Sequence, residues 1–178
     1  MKYFTIIFLL VTQTCKTTDN SNLVESFANK QDAKLQVVNC PEKGTCKVAI
    51  LKNKTISLQK DNIGKVYPKI IDGENIVIMY TFKKENPQGY QDGNESETVH
   101  FEIKADTTKE ILDTNLKDLN LVFGKNCFCR DIAGFYAVTK GSFLIKSSKN
   151  GKTELKLDFY VPKVGDRQYI KSIHLELN

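Results

Sequence analysis

Alternation constrains this chain more than any other feature. In the run from Glu154 to Val161, Leu155, Leu157, Phe159 and Val161 fall on one side, while Glu154, Lys156 and Asp158 fall on the other. Successive side chains of an extended chain point to opposite faces, so a period of two means a strand with one buried face. Val99, Phe101 and Ile103 alternate with His100, Glu102 and Lys104 in the same way, as do Ile173, Leu175 and Leu177 with Ser172, His174 and Glu176. The run Ile76–Phe82 is apolar on both faces, which predicts a strand covered on each side. Shorter runs at 34–39, 46–51, 54–59, 119–123, 134–139 and 142–147 complete the set. Asn150-Gly151, Asp72-Gly73 and Lys52-Asn53-Lys54 lie between runs and read as hairpin turns. The expected fold is mainly β, an antiparallel sandwich or barrel of about 8–10 strands. One stretch departs from the pattern. Thr107 to Glu110 has the form of a capping box, and Ile111, Leu112, Leu116 and Leu119 follow at near-helical spacing, predicting one short helix near 108–117.

The N-terminus has a different character. Lys2 leads into an apolar run from Tyr3 to Val11, too short to span a bilayer core, which needs about 20 residues, but suited to the h-region of an export signal. Cys15 follows the run, and the polar tract Lys16 to Asn22 follows Cys15. This arrangement resembles a bacterial lipoprotein signal of the Bacteroidetes type. The resemblance is confined to about the first twenty residues. It implies cleavage before Cys15, lipidation of Cys15 and a flexible tether. The chain then divides into a signal peptide over 1–14, a lipidated tether over 15–33 and one β domain over 34–178. A length of 178 residues suits one such domain.

Five cysteines occur, at 15, 40, 46, 127 and 129, so assigning Cys15 to a lipid leaves four that can pair. Export favours disulfides. Cys40 and Cys46 bracket a turn at Pro41–Thr45, and Cys127 and Cys129 are separated only by Phe128. Three arrangements are open: local bridges within each pair, long-range bridges between the pairs, or reduced thiols that are idle or hold a soft metal. The spacing is neither Cys-x-x-Cys nor the two-to-four spacing of structural zinc sites.

No catalytic motif stands out. His-Glu-x-x-His, Gly-x-Ser-x-Gly, a Walker loop and Gly-x-Gly-x-x-Gly do not occur in the sequence. His100 and His174 fall on the polar sides of their strands, which predicts solvated imidazoles; they could meet only if those strands were neighbours. In the polar stretch 86–97, Asp92, Asn94 and Ser96 mimic the start of a calcium loop, but Glu97 and Ile103 occupy the positions of its glycine and its bidentate glutamate. Tyr90 and Asp92 in that loop are candidate contact residues, as are Lys125, Phe128 and Arg130 in the segment 123–131, which mixes charge, aromatics and thiols. The net charge is +5, with lysines scattered rather than in a block, so a nucleic-acid partner is not expected.

The expectation is an exported, membrane-anchored lipoprotein of the cell envelope, with a β-rich binding or structural domain and no cofactor. Its partners would be a membrane through the N-terminal lipid, and another envelope protein or a small ligand. The alternatives are a secreted carrier or inhibitor with the same fold, or an exported hydrolase or metalloenzyme with a dispersed site.

Overall fold

A computed structural model describes residues 35–86, 93–104, 110–147 and 152–177. The signal and tether segments lie outside the described residues, as do Asn150-Gly151 and the first part of the capping box. Among the described residues there are ten strands: β1 (Leu35–Val37), β2 (Gly44–Lys60), β3 (Val66–Lys84), β4 (Ser96–Ile103), β5 (Glu110–Leu112), β6 (Val122–Asn126), β7 (Gly134–Ala137), β8 (Gly141–Ser147), β9 (Thr153–Phe159) and β10 (Ser172–Leu177). They form two five-stranded antiparallel sheets, ordered β1-β10-β9-β8-β5 and β2-β3-β4-β6-β7. Each sheet ends in strands paired on one side only, so the fold is a sandwich and not a closed barrel.

The alternating residues fill the space between the sheets. Ile78, Tyr80 and Phe82 of β3 and Val99, Phe101 and Ile103 of β4 meet Phe143 and Ile145 of β8, Leu155, Leu157 and Phe159 of β9, and Ile173 and Leu175 of β10. Phe101 meets Phe143 edge-on at 6.4 Å between centroids, and Phe123 of β6 meets Phe159 at 6.0 Å, so aromatic pairs span the two sheets. Full burial of each such side chain contributes about 1.5–3 kcal/mol relative to exposure.

The turn signals at Lys52–Lys54 and Asp72-Gly73 do not end strands. They face each other across one long hairpin, where the register shifts and Lys54 is paired with both Asp72 and Asn75. Asn53 has φ 55°, a left-handed conformation that asparagine tolerates. The result is a bulge that bends β2 and β3 together. The actual hairpin turn comes later. Asp61 Oδ1 accepts from the Ile63 and Lys65 amides, and Gly64 takes φ 79°.

Beyond the bulge, the arm folds back over the outer face of its own sheet. Ile56 of the arm is buried with Val77 and Val122 on that face, and Leu51, Ile70 and Met79 pack against them. Glu102, 1% exposed, fastens the arm. Its Oε2 accepts from Thr55 Oγ1 at 2.6 Å and from the Ile56 amide at 3.0 Å, and its Oε1 accepts from Asn120. This second layer is why Ile76–Phe82 is apolar on both sides.

The expected helix is displaced. Glu110–Leu112 pairs with β8, and a 3-10 helix runs from Asp113 to Leu119. Side chains three apart eclipse in a 3-10 helix, which is how Leu116 and Leu119 both reach the core. A further 3-10 turn, Gly165–Arg167, lies between β9 and β10.

Candidate functional site

Cys15, Tyr90 and Asp92 lie outside the described residues. The four remaining cysteines adopt the local pairing. Cys40 is joined to Cys46 with Cα atoms 5.8 Å apart, and Cys127 lies against Cys129 at disulfide distance with Cα atoms 5.2 Å apart. Tyr80 Oη donates toward Asn39 O and Cys46 Sγ, each at 2.9 Å, and burial pushes its phenol up to about 12. Ser96, which resembled a calcium ligand, is instead a strand residue paired with Lys83 and Asn126.

Lys125 is not the surface contact residue its segment suggested. Its side chain is fully buried, because it shares the inward face of β6 with Phe123. All three ammonium protons have acceptors: Glu95 Oε1 at 2.6 Å, Glu97 Oε1 at 2.8 Å and Arg167 O at 2.7 Å. The ammonium also sits 4.3 Å from the centroid of the Tyr169 ring. Glu97, equally buried, accepts from the Tyr169 amide at 2.9 and 3.0 Å and from the Ile170 amide at 2.7 Å. Lys84 Nζ donates to Glu95 Oε2 at 3.0 Å and to Tyr169 Oη at 2.7 Å. Burial opposes ionisation of Glu95, but Lys125 and Lys84 outweigh it and hold its carboxyl below the usual range. Every polar group named here is engaged, so the cluster works as a clamp between the β4–β6 sheet and the loop before β10.

The two histidines do not meet. His100 is on β4 and His174 on β10, in different sheets. His174 Nε2 lies 2.8 Å from Glu154 Oε1 but out of line for a hydrogen bond. His100 departs from the solvated expectation. It faces outward, yet it is 8% exposed and neither ring nitrogen has a hydrogen-bond partner. Met79 and Val122 are its cross-strand neighbours, and the Phe135 ring stacks at 6.5 Å. Gly124 makes room for that ring, since a Cβ there would lie 2.6 Å from both Phe135 Cε1 and Thr98 Oγ1.

Burial disfavours the imidazolium and lowers the pKa of His100 below 6.5. The unfolded chain therefore takes up a proton before the folded one. Stability from this site is present above pH 6.5 and is lost as the pH falls toward the folded-state pKa. Hydrogen bonds from Lys156 and Lys146 hold Glu154 at about 2, so that carboxylate does not titrate in the same window. We expect urea midpoints to fall between about pH 7 and about pH 5, and His100→Met to flatten that fall. An equal slope in both proteins would show that His100 is not its source.

A concavity lies elsewhere, at one end of the sandwich. A half-open groove of about 610 Å³ runs between the end of β7 and the chain leaving β9. Its apolar surface comes from Tyr136, Val138, Tyr160, Val161 and Pro162, with Lys140 and Lys163 also on its lining. Val138 and Val161 belong to the core, so the floor of the groove is the edge of the space between the sheets. Tyr136 Oη donates to Ile132 O at 2.9 Å, which fixes that ring. Next to the groove, and sharing Tyr136 and Lys163 with it, is a smaller hollow of about 220 Å³ that also takes in Lys65, Arg130 and Asp131. Of the sequence candidates, Arg130 lines this hollow. Phe128, 89% exposed, projects from the loop between Cys127 and Cys129.

Among the described residues, no three His, Cys, Asp or Glu side chains gather as a metal site, and no helix is long and apolar enough to cross a membrane. No family model, curated protein or solved structure matches this chain. The class is thus defined by the fold itself, an antiparallel β-sandwich with a bent hairpin arm and a groove at one end. The groove residues carried no signal in the sequence. They lie at strand ends and in the links just beyond them, at 136–141 and 160–163, and only the strand order brings them together.

Proposed function

We propose that this chain is an exported, membrane-anchored binding protein. Acylation of Cys15 would hold it at a membrane, and the groove between β7 and β9 would receive a small ligand. The groove is the observation that carries the binding half of this reading. Its volume of about 610 Å³ falls in the range of roughly 300–1,000 Å³ typical of small-ligand sites, and its lining is mostly apolar with a few polar groups. The anchoring half draws on Lys2, the apolar run and Cys15. One acyl chain alone gives marginal attachment, so stable anchoring requires the several chains of a bacterial lipoprotein.

Two measurements test the halves separately. In a bacterial host fed an alkyne fatty acid, the wild-type chain should be labelled and sediment with membranes, and Cys15→Ser should abolish both. An unlabelled cytosolic chain retaining Met1 would overturn the anchor. For the groove, the neutral dye N-phenyl-1-naphthylamine should bind saturably to the wild type. Thr139→Trp, at an exposed lining position, should abolish that binding without changing the thermal midpoint. Unchanged dye binding in that variant would overturn the groove as the ligand site.

A further inference from the structure

We infer that the groove and the adjoining hollow form one site for a single-chain amphipathic anion, with the chain along the groove and the acidic head among Lys163, Arg130 and Lys65. This inference rests on the binding reading above and adds the ligand class to it.

The cations carry the argument. Lys54, Lys84, Lys125, Lys146, Lys152 and Lys156 each lie within 4.0 Å of a carboxylate, while Lys65, Arg130, Lys140 and Lys163, like Lys47 and Lys83 on the open surface, have no such partner among the described residues. What sets Lys65, Arg130, Lys140 and Lys163 apart is their place, since these four line the groove and the hollow. Among the described residues, Asp131 is the only acid on either lining. The cations come from four separate places in the chain: the turn between β2 and β3, the loop before β7, the link from β7 to β8, and the chain after β9. Arg167 adds to the same field, since its charge acts on the Tyr136 phenol. Four converging cations against the one carboxylate of Asp131 create a net positive potential in a partly enclosed space, which favours an anion there.

The apolar part selects among anions. A bare inorganic anion would leave Tyr160, Val161 and Pro162 uncovered, and a neutral hydrocarbon would leave the cations unanswered. The two hollows meet at Tyr136 and Lys163, so the polarity changes from apolar to basic along one continuous surface. A carboxylate at the end of an alkyl chain matches that change. An arginine among the cations also offers paired N–H donors to a carboxylate.

The test uses the full chain carrying Cys15→Ser, with submicellar dodecanoate, dodecanol and dodecyltrimethylammonium competing against N-phenyl-1-naphthylamine. Dodecanoate should bind at least about ten-fold more tightly than dodecanol, the cationic amphiphile should bind least, and salt should erode the difference. Arg130→Glu with Lys163→Glu should remove the preference for dodecanoate and leave dodecanol binding intact. Lys47→Glu with Lys83→Glu, a matched charge change on exposed positions away from the groove, should leave the preference in place. Equal binding of dodecanoate and dodecanol would overturn the anionic head while leaving the groove reading standing. Failure of the dye and of every competitor to bind would overturn both. Flotation with phosphatidylglycerol vesicles that depends on Arg130 and Lys163, without dodecanoate binding, would assign the cations to a membrane surface and also overturn the proposal.

Discussion

Lys125→Met should lower the stability of the folded domain by about 3 kcal/mol, a fall of about 10 °C in the thermal midpoint. The side chains are of similar length, so lost packing is a minor part of this effect. The larger part is Glu97. Its carboxylate is fully buried, and among the described residues the Lys125 ammonium 2.8 Å away is the only positive side chain hydrogen-bonded to it. Removing one partner of a buried pair typically costs about 3–5 kcal/mol, because the other charge stays behind without water. The Tyr169 and Ile170 amides still donate to Glu97, which places the expectation at the lower end. Arg167 O also loses its donor, and the Tyr169 ring loses the nearer of its two cation–π contacts, keeping the one from Lys84 at 5.1 Å. Adding Glu97→Gln should recover about 1–2 kcal/mol, since an amide oxygen can still accept from both backbone groups and the stranded charge is gone. Urea unfolding of the three proteins at one pH measures this. A loss below about 1 kcal/mol for Lys125→Met would mean that water reaches Glu97.

That clamp was partly legible in the sequence. Glu97 is in phase with Val99, Phe101 and Ile103, and Lys125 is in phase with Phe123. The alternation that identified the strands therefore also put one acid and one base on the buried side. Opposite charges at core-facing positions of two strands are a signal for a buried pair, provided the strands are neighbours. The pattern fixes faces and leaves pairings open, and only the register Glu97↔Lys125 brings the two together. The turn signals failed for a related reason. Asn53 and Gly73 were good local evidence for backbone departing from a strand, and the backbone does depart there. Whether two such departures end two hairpins or bend one depends on whether they face each other, which is a long-range property. His100 shows the same limit. Its polar-side position was correct, but the arm and Phe135 that enclose that face come from distant parts of the chain. The groove, assembled from residues at and just past strand ends, is the extreme case.

The bent arm gives the second large effect. Ile56→Asp should release the arm while leaving both sheets folded. Ile56 is 5% exposed and packs against Val77 and Val122, a burial worth about 1.5–3 kcal/mol. An aspartate there loses that term and puts a second carboxylate beside Glu102, whose Oε2 is 3.0 Å from the residue 56 amide. Two acids in one dry site cannot both stay ionised cheaply. The chain can escape the penalty by opening at the bulge near Asn53, where the ladder is already interrupted. The cost is thereby capped at the price of exposing Val77 and Val122. The inter-sheet core, built from the other faces of β3 and β4, does not depend on the arm. Hydrogen exchange should then show loss of protection by about 10²–10³-fold over 54–60 and 66–72, from an opening cost reduced by about 3–4 kcal/mol, with protection in β8–β10 little changed. Ile56→Val, which trims one methylene, should cost only about 1 kcal/mol and keep the arm closed. If Ile56→Asp instead unfolds the arm and both sheets in a single transition, the arm and sandwich are one cooperative unit, and the bulge is a bend without being a point of separation.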